Sequence, residues 1–152
     1  MKSLQDCKII DVLDDKEVLK IEMMEKKIFS IPWSGNLLKQ IRTNPNNIFL
    51  GIFFRDELIG YLIASVLLDE TELLRLAILP AFRRCGLARR MLFYYFNIMK
   101  QCQKFYLEVR ENNEMAKNLY LSLGYEVYYI RKNYYSDGTN ALLMKRENNE
   151  RH

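Results

Sequence analysis

Three apolar runs separated by short polar turns constrain the fold of this 152-residue chain more than any other feature. The runs are Ile48–Arg55, Leu58–Leu68 and Leu73–Leu79, and acidic residues stand at each connection. Runs rich in β-branched and aromatic residues between such turns are typical of strands. Parallel strands need a crossover of a dozen or more residues, so these connections predict an antiparallel meander.

Helices are predicted on both sides of this meander, together with further strands. Before it, Lys8–Leu13 predicts a strand, Asp14 or Asp15 caps one helix, and Ser34 caps a second. After it, the predicted elements are a helix from Gly86, a strand at Phe105–Val109, a helix at Glu114–Leu123 capped by Asn113 and ended by Gly124, and a hairpin of Tyr125–Tyr135 and Ala141–Lys145. The order β-α-α-β-β-β-α-β-α-β-β predicts an α/β fold, a mixed sheet of about seven strands covered by four helices. We expect a single domain over residues 1–146 and a polar tail over 147–152.

Composition excludes several classes of function. The one histidine, His152, is the last residue, which nearly excludes catalysis by a histidine base. Cys7, Cys85 and Cys102 are odd in number and lack CxxC spacing, so we expect neither a disulfide framework nor a metal site, and a reducing cytoplasm fits. No apolar run approaches about 20 residues, so we expect no association with a membrane.

The positive charges are concentrated in one part of the chain. The net charge is +4, yet Leu73–Leu107 contains no acidic residue and has seven basic ones: Arg75, Arg83, Arg84, Arg89, Arg90, Lys100 and Lys104. A local basic field suggests an anionic ligand near this segment. A solvated helix face would have the same pattern.

The segment Arg83-Arg84-Cys85-Gly86-Leu87-Ala88-Arg89 lies between a predicted strand and a predicted helix. Backbone N–H groups at a helix start have no partner within the helix, and the helix dipole favours an anion there. Gly86 and Ala88 keep bulk away, so that a phosphate could contact the backbone. The segment matches neither GxxxxGK[ST] nor GxGxxG. The alternative is a surface helix start that happens to contain arginines.

Two further residues are candidates for proton transfer. Glu108 shares a strand face with Tyr106, and a partly buried carboxylate there would suit a general base. The alternative is a carboxylate paired with an arginine such as Arg75. Tyr120 lies on the apolar stripe of the following helix, where it is either a core tyrosine or a neutral proton donor for a thiolate leaving group.

Together these segments resemble the GNAT superfamily of N-acetyltransferases. Arg-Arg-Cys-Gly-Leu-Ala fits its [Q/R]-x-x-G-x-[G/A] motif, and LEVRENNEMAKNLYLSLGY is similar to its second half. The segments Ile31–Ser34, Leu76–Pro80, Leu107–Arg110 and Arg131–Tyr135 further resemble RimI-type enzymes, which acetylate the N-terminal alanine of a small-subunit ribosomal protein. Tyr134–Gly138 also looks like a loop in archaeal and eukaryotic N-terminal acetyltransferases.

The resemblance implies acetyl-CoA as cosubstrate and a role for each matching residue. Glu108 would be the general base and Tyr120 the general acid, while Trp33, Tyr134 and Tyr135 would flank a peptide groove. The backbone of residues 76–78 would pair with the pantetheine arm, and residues 84–89 would cradle the pyrophosphate. The positions implied to bind acetyl-CoA are Leu76, Ala77, Ile78, Arg83, Arg84, Cys85, Gly86, Leu87, Ala88, Arg89 and Asn113.

The predicted function is direct transfer of an acetyl group to a protein N-terminus, with a ribosomal protein as partner and no direct binding of nucleic acid. A monomer or weak dimer is expected. Acetylation of a small amine or a lysine remains an alternative, as does a non-catalytic CoA-binding or ribosome-binding module. Arg75 stands where RimI-type enzymes often have asparagine, and Cys85 where arginine or glycine is more usual. These departures remove no catalytic group.

Overall fold

Seven strands and four helices follow one another along residues 4–11 and 14–148, the part of the chain described by the computed structural model. The elements are β1 Cys7–Asp11, α1 Asp15–Ile28, α2 Gly35–Thr43, β2 Ile48–Phe54, β3 Glu57–Leu67, β4 Glu70–Ile78, α3 Leu87–Ile98, β5 Lys104–Arg110, α4 Glu114–Ser122, β6 Glu126–Arg131 and β7 Ala141–Glu147. Their order confirms the prediction. Residues 12–13 of the predicted first strand and residues 149–152 of the predicted tail lie outside the described residues.

The helices begin where short polar side chains can cap them. Asp14 accepts a hydrogen bond from the Glu17 N–H at 2.9 Å, and Ser34 accepts one from the Leu37 N–H at 3.1 Å. Each bond satisfies one of the N–H groups that a helix start leaves without an intrahelical partner. At the other end of a helix, Gly124 follows α4 with a φ of +92°, which glycine adopts readily. The predicted helix boundaries are thus set by local chemistry.

The sheet is mixed and mostly antiparallel, as predicted, and its strands lie in the order β1-β2-β3-β4-β5-β7-β6. The pairs β1–β2, β2–β3, β5–β7 and β6–β7 are antiparallel. The pair β4–β5 is parallel, with Glu70–Leu73 in register with Lys104–Leu107. The helix α3 lies between these two strands in sequence, which gives a parallel pair the long crossover that it needs.

Two compact units make up the described residues. The first comprises Arg75–Ile98 and the described part of residues 1–65, and the second comprises Val66–Leu74 and the described part of residues 99–152. The core of the first unit contains fully buried side chains, among them Ile21, Leu38, Ile52, Leu62 and Met91. That of the second includes Phe105, Leu107, Tyr125, Leu142 and Met144.

Two predicted boundaries were wrong by three residues or more. The strand β4 begins at Glu70 rather than Leu73, because Thr71 alternates inward and is 2% exposed although the residues around it are acidic. The strand β6 ends at Arg131, so Tyr134 and Tyr135 lie in the loop before β7. Asn133 adopts a φ of +53° there, a left-handed conformation that ends a strand and that asparagine tolerates.

Candidate active site

The segment Arg83–Gly86 forms a tight loop with two left-handed residues before α3. Arg84 has a φ of +63° and Gly86 a φ of +77°, and the carbonyl of Gly86 accepts the first α3 hydrogen bond, from the Arg90 N–H at 3.0 Å. A Cβ added at Gly86 would meet nothing within 4 Å, so there is room for a side chain at this position. Glycine is favoured there because of the left-handed backbone conformation. When residues at a helix start alternate between right-handed and left-handed conformations, their backbone N–H groups point into one concave site. Such a site suits a phosphate.

Side chains around this loop differ in their exposure and in their contacts. Arg84 and Arg89 are exposed, whereas Leu87 is 3% exposed and can offer a ligand only its backbone. The Cys85 thiol donates to the Arg83 carbonyl at 3.4 Å. The Arg83 Nε donates to the Ile78 carbonyl at 2.9 Å, which joins the loop to the end of β4. The loop therefore fits an anionic group such as a diphosphate through its backbone and its exposed arginines.

Not every basic residue of the Leu73–Leu107 segment is available to a ligand. The Arg90 Nη2 donates to the Cys7 carbonyl at 2.8 Å. Arg75 forms an ion pair with Glu25 at 2.9 Å. The alternative in which Arg75 pairs with Glu108 was therefore wrong, because a carboxylate on α1 occupies that guanidinium.

The end of β4 approaches β3 very closely. Ala77 and Ile78 are 5% and 6% exposed, and Leu76 is half-buried. A Cβ added at Gly60 would lie 2.7 Å from the Ala77 carbonyl oxygen, closer than real Cβ contacts. The glycine at position 60 thus lets the two backbones come together beside the residues predicted to pair with pantetheine.

Trp33 lies on the connection between α1 and α2, where Glu25 holds it. Its backbone N–H donates to the Glu25 Oε1 at 2.7 Å. Glu25 is fully buried, and it was not among the predicted site residues. A signal was present, because Glu25 follows Ile21 by four residues and so falls on the buried stripe of α1.

Glu108 lies in β5 with its side chain 30% exposed. The strand alternates as predicted, with Phe105, Leu107 and Val109 buried on the face opposite Glu108. The Tyr135 hydroxyl donates to the Glu108 Oε2 at 3.3 Å, and the Arg131 Nη1 lies 3.6 Å from its Oε1. Glu108 does have an arginine partner, but that partner comes from β6.

A second carboxylate, that of Glu72, interacts electrostatically with Glu108. Burial, followed by the negative charge of Glu108, raises the pKa of Glu72, while Arg131 opposes both effects. Glu72 is in register with Tyr106 of β5. Glu72 was not among the predicted site residues, because the predicted strand began one residue later, at Leu73.

Tyr120 is 9% exposed on α4, and its ring packs edge to face against Tyr125 with centroids 5.7 Å apart. Burial raises the pKa of Tyr120 to about 12. The phenol is therefore neutral at physiological pH and retains a proton to donate. Asn113, at the start of the same helix, accepts a hydrogen bond from the Ala116 N–H at 3.2 Å and so caps α4.

Tyr134 and Tyr135 lie in the β6–β7 loop, which contacts β5. The Arg110 guanidinium carbon lies 3.9 Å from the centroid of the Tyr135 ring, and the same side chain pairs with Asp137 at 3.1 Å. Burial raises the pKa of Tyr135 to about 12, and the charge of Glu108 adds to this. Tyr134 is 50% exposed. The loop thus presents one exposed tyrosine and uses the other to hold Glu108.

Residues 4–11 and 14–148 contain no cluster of three or more side chains suited to holding a metal ion. Within the same residues, no helix combines the length and the apolar character that crossing a membrane requires.

Comparisons with known proteins show the family to which the chain belongs. Residues 16–125 match the family model described as Acetyltransferase (GNAT) family. The [Ribosomal protein bS18]-alanine N-acetyltransferase of Haemophilus ducreyi is 33% identical over 145 residues, which cover 90% of this chain and 97% of that protein. The protein of the same name from Haemophilus influenzae is 32% identical over 142 residues, covering 90% and 96%.

A solved structure supports the same assignment. The crystal structure of the ribosomal-protein-S18-alanine N-acetyltransferase from Escherichia coli superimposes with a TM-score of 0.88 and 26% identity, covering 96% of both chains. The family match spans most of the chain and includes the Arg83–Gly86 loop and Tyr120. The chain therefore belongs to the GNAT family of acetyltransferases and is an acetyl-CoA-dependent N-acetyltransferase.

Proposed function

We propose that this enzyme acetylates the N-terminal alanine of ribosomal protein bS18. The observation that carries the proposal is the 33% identity, over 97% of its length, to an enzyme named for that reaction. The elements that would receive the peptide are the α1–α2 connection with Trp33 and the β6–β7 loop with Tyr134 and Tyr135. A cytoplasmic location goes with the proposal, and the free thiols Cys7, Cys85 and Cys102 are compatible with a reducing compartment.

Acetyl-CoA would be bound through the residues that fit it chemically. The backbone of the Arg83–Gly86 loop, with Arg84 and Arg89, would hold the pyrophosphate, and the backbone of Leu76–Ile78 would pair with the pantetheine arm as an added strand. The amide of Asn113 would contribute a further polar contact while its Oδ1 caps α4. When bound, acetyl-CoA supplies an activated acetyl group as a thioester.

The chemistry would be direct transfer, with Glu108 as base and Tyr120 as acid. An α-amine has a pKa of about 7.7–8.0, so removing its proton near neutral pH needs modest help, which Glu108 would give directly or through a water. A backbone N–H of Leu76–Ile78 would stabilise the charge that develops on the thioester oxygen. Tyr120, a phenol that is neutral near pH 7, would protonate the departing thiolate.

The identity of the amine follows from the same argument. A lysine side chain has a pKa of about 10.4 and would need much stronger desolvation before it could attack. An acetyl-cysteine route would need a base to activate the thiol, and the one histidine of the chain is the terminal His152. Direct attack by a free N-terminal amine is therefore the favoured reaction.

A CoA-release assay tests the proposal. The substrates are a peptide copying the alanine-initiated N-terminus of bS18 and a matched peptide with a blocked N-terminus and an internal lysine. We expect turnover of the first peptide alone, with a loss of about 10²–10⁴-fold in Glu108→Gln and in Tyr120→Phe.

Three outcomes would contradict parts of the proposal. Turnover of the blocked peptide would assign a lysine acetyltransferase. Turnover of neither peptide, with acetyl-CoA still bound, would leave small amines or a sensing role. Full activity of Glu108→Gln would remove Glu108 from the mechanism.

A further inference from the structure

A completely buried carboxylate lies at the C-terminal end of α1. Glu25 has no exposed surface, and a buried charge costs several kcal/mol unless it is paired and hydrogen-bonded. It accepts hydrogen bonds from the Tyr61 hydroxyl, from the Arg75 Nη2 at 2.9 Å and Nε at 3.2 Å, and from the Trp33 N–H at 2.7 Å. These donors come from β3, from β4 and from the connection after α1, so Glu25 ties three parts of the first unit together.

Arg75 contacts that connection in several ways at once. Beyond its forked bond to Glu25, its Nη2 donates to the Ile31 carbonyl at 3.1 Å. Its guanidinium carbon lies 3.8 Å from the centroid of the Phe29 ring and 4.6 Å from that of Trp33. Stacking and forked donation together require a planar guanidinium, which lysine cannot replace.

The connection held in this way, Phe29–Trp33, has no helical or strand structure of its own. It contains Pro32, and its shape is fixed by side chains of neighbouring elements, through the Trp33 N–H and the Ile31 carbonyl. Ile31 is 69% exposed, while Trp33 is half-buried against Arg75. The contacts therefore place one apolar side chain outward and hold one aromatic ring in a fixed orientation.

We infer that Glu25 and Arg75 are positioning residues that hold Phe29–Trp33 in the shape in which it receives the N-terminal residue of the peptide. The inference rests on the proposed function, which places this connection beside the substrate. Because Glu25 neutralises it, Arg75 acts by shaping the apolar connection rather than by offering a free charge to the substrate.

The test replaces Arg75 and reads two independent signals. Arg75→Lys keeps the charge but loses the fork and the stacking, and Arg75→Met loses all three. Arg42→Lys is the control, since Arg42 forms an ion pair with the exposed Asp15 that joins α2 to the start of α1. The signals are steady-state constants for peptide and acetyl-CoA, and the fluorescence of Trp33, the one tryptophan in the chain.

We expect Arg75→Lys to raise the peptide KM about tenfold, because bonds from a charged donor are lost, while kcat and the acetyl-CoA KM stay within about twofold. Arg75→Met should exceed that rise. Trp33 emission should shift to longer wavelength and become more accessible to acrylamide in both variants. Arg42→Lys should change none of these quantities.

An unchanged peptide KM, or an equal rise in both KM values, would overturn the inference. If the wild-type enzyme acetylates no peptide, the proposed function fails, and Trp33 quenching then decides alone: no change in Arg75→Lys overturns the positioning role. If neither Arg75 variant folds, Tyr61→Phe takes their place, because it removes one donor to Glu25 and leaves the arginine. A wild-type peptide KM and Trp33 signal in Tyr61→Phe would then count against the inference.

Discussion

Replacing Gly60 with alanine would force apart two strands beside the proposed acetyl-CoA site. The new Cβ would lie 2.6 Å from the Ile78 Cδ1 and 2.7 Å from the Ala77 carbonyl oxygen. The second distance is about 0.7 Å short of the 3.4 Å at which ordinary contact begins. The Ile78 side chain can change rotamer, but the Ala77 carbonyl belongs to the backbone, so β4 itself must move.

Overpacking of this kind costs about 1–3 kcal/mol. For a domain of this size the loss corresponds to a Tm lower by roughly 2–12 °C, which thermal denaturation would measure. A shift of about 0.7 Å at Ala77 also displaces the backbone proposed to pair with pantetheine. We therefore expect the acetyl-CoA KM to rise about tenfold, since displacement by about 1 Å can cost a hundredfold in rate.

Gly138→Ala is the control for this prediction. Gly138 has a φ of +85°, and a Cβ there would meet nothing within 4 Å, so alanine adds only backbone strain of about 1–2 kcal/mol. Its Tm should fall while its acetyl-CoA KM stays at the wild-type value. A Gly60→Ala enzyme with wild-type Tm and acetyl-CoA KM would refute the close approach of β3 and β4.

Three further predictions concern the proposed site. Because burial raises the pKa of Tyr120 to about 12 from its ordinary 10.0, the unfolded chain loses the phenolic proton at a lower pH than the folded protein, and wild type should lose stability as the pH rises from 10 through 12. Tyr120→Phe lacks this titration, so denaturation should show a smaller loss of stability for the variant over the same range. Replacing Arg84 and Arg89 together with alanine should raise the acetyl-CoA KM at least tenfold and weaken its dependence on salt, and titration at two ionic strengths checks this. Asn113→Ala should lower stability by about 1 kcal/mol through loss of the α4 cap, whereas Asn113→Ser keeps the cap and, in a binding assay, isolates any contact of the amide with acetyl-CoA.

Local chemistry made much of the fold predictable. Ser34 and Asn113 begin helices because their side chains accept N–H groups three residues ahead, and this requires nothing from the rest of the chain. Gly86 and Gly124 adopt left-handed conformations that their positions beside helices already suggest. The Arg83–Gly86 loop was predictable for the same reason.

The limits of strands were harder to predict because they depend on pairing. Glu70–Leu73 has an acidic residue at every second position, yet it forms the part of β4 that pairs with β5. The loop that contains Tyr134 and Tyr135 reads as a continuation of β6, because tyrosine is a strong strand former. The turn at Asn133 and the contact between Arg110 and Tyr135 place these residues in a loop instead.

The sequence alone determined the order of elements, the helix caps and the motif of the family, because each depends on residues a few positions apart. Only the tertiary structure decided which charges are paired. Arg75 meets a carboxylate 50 positions away on α1, and the carboxylate of Glu108 meets Arg131 and Tyr135. Burial explains the difference. A carboxylate such as Glu25 loses its water only when distant elements pack together, and the same packing decides which donors replace that water.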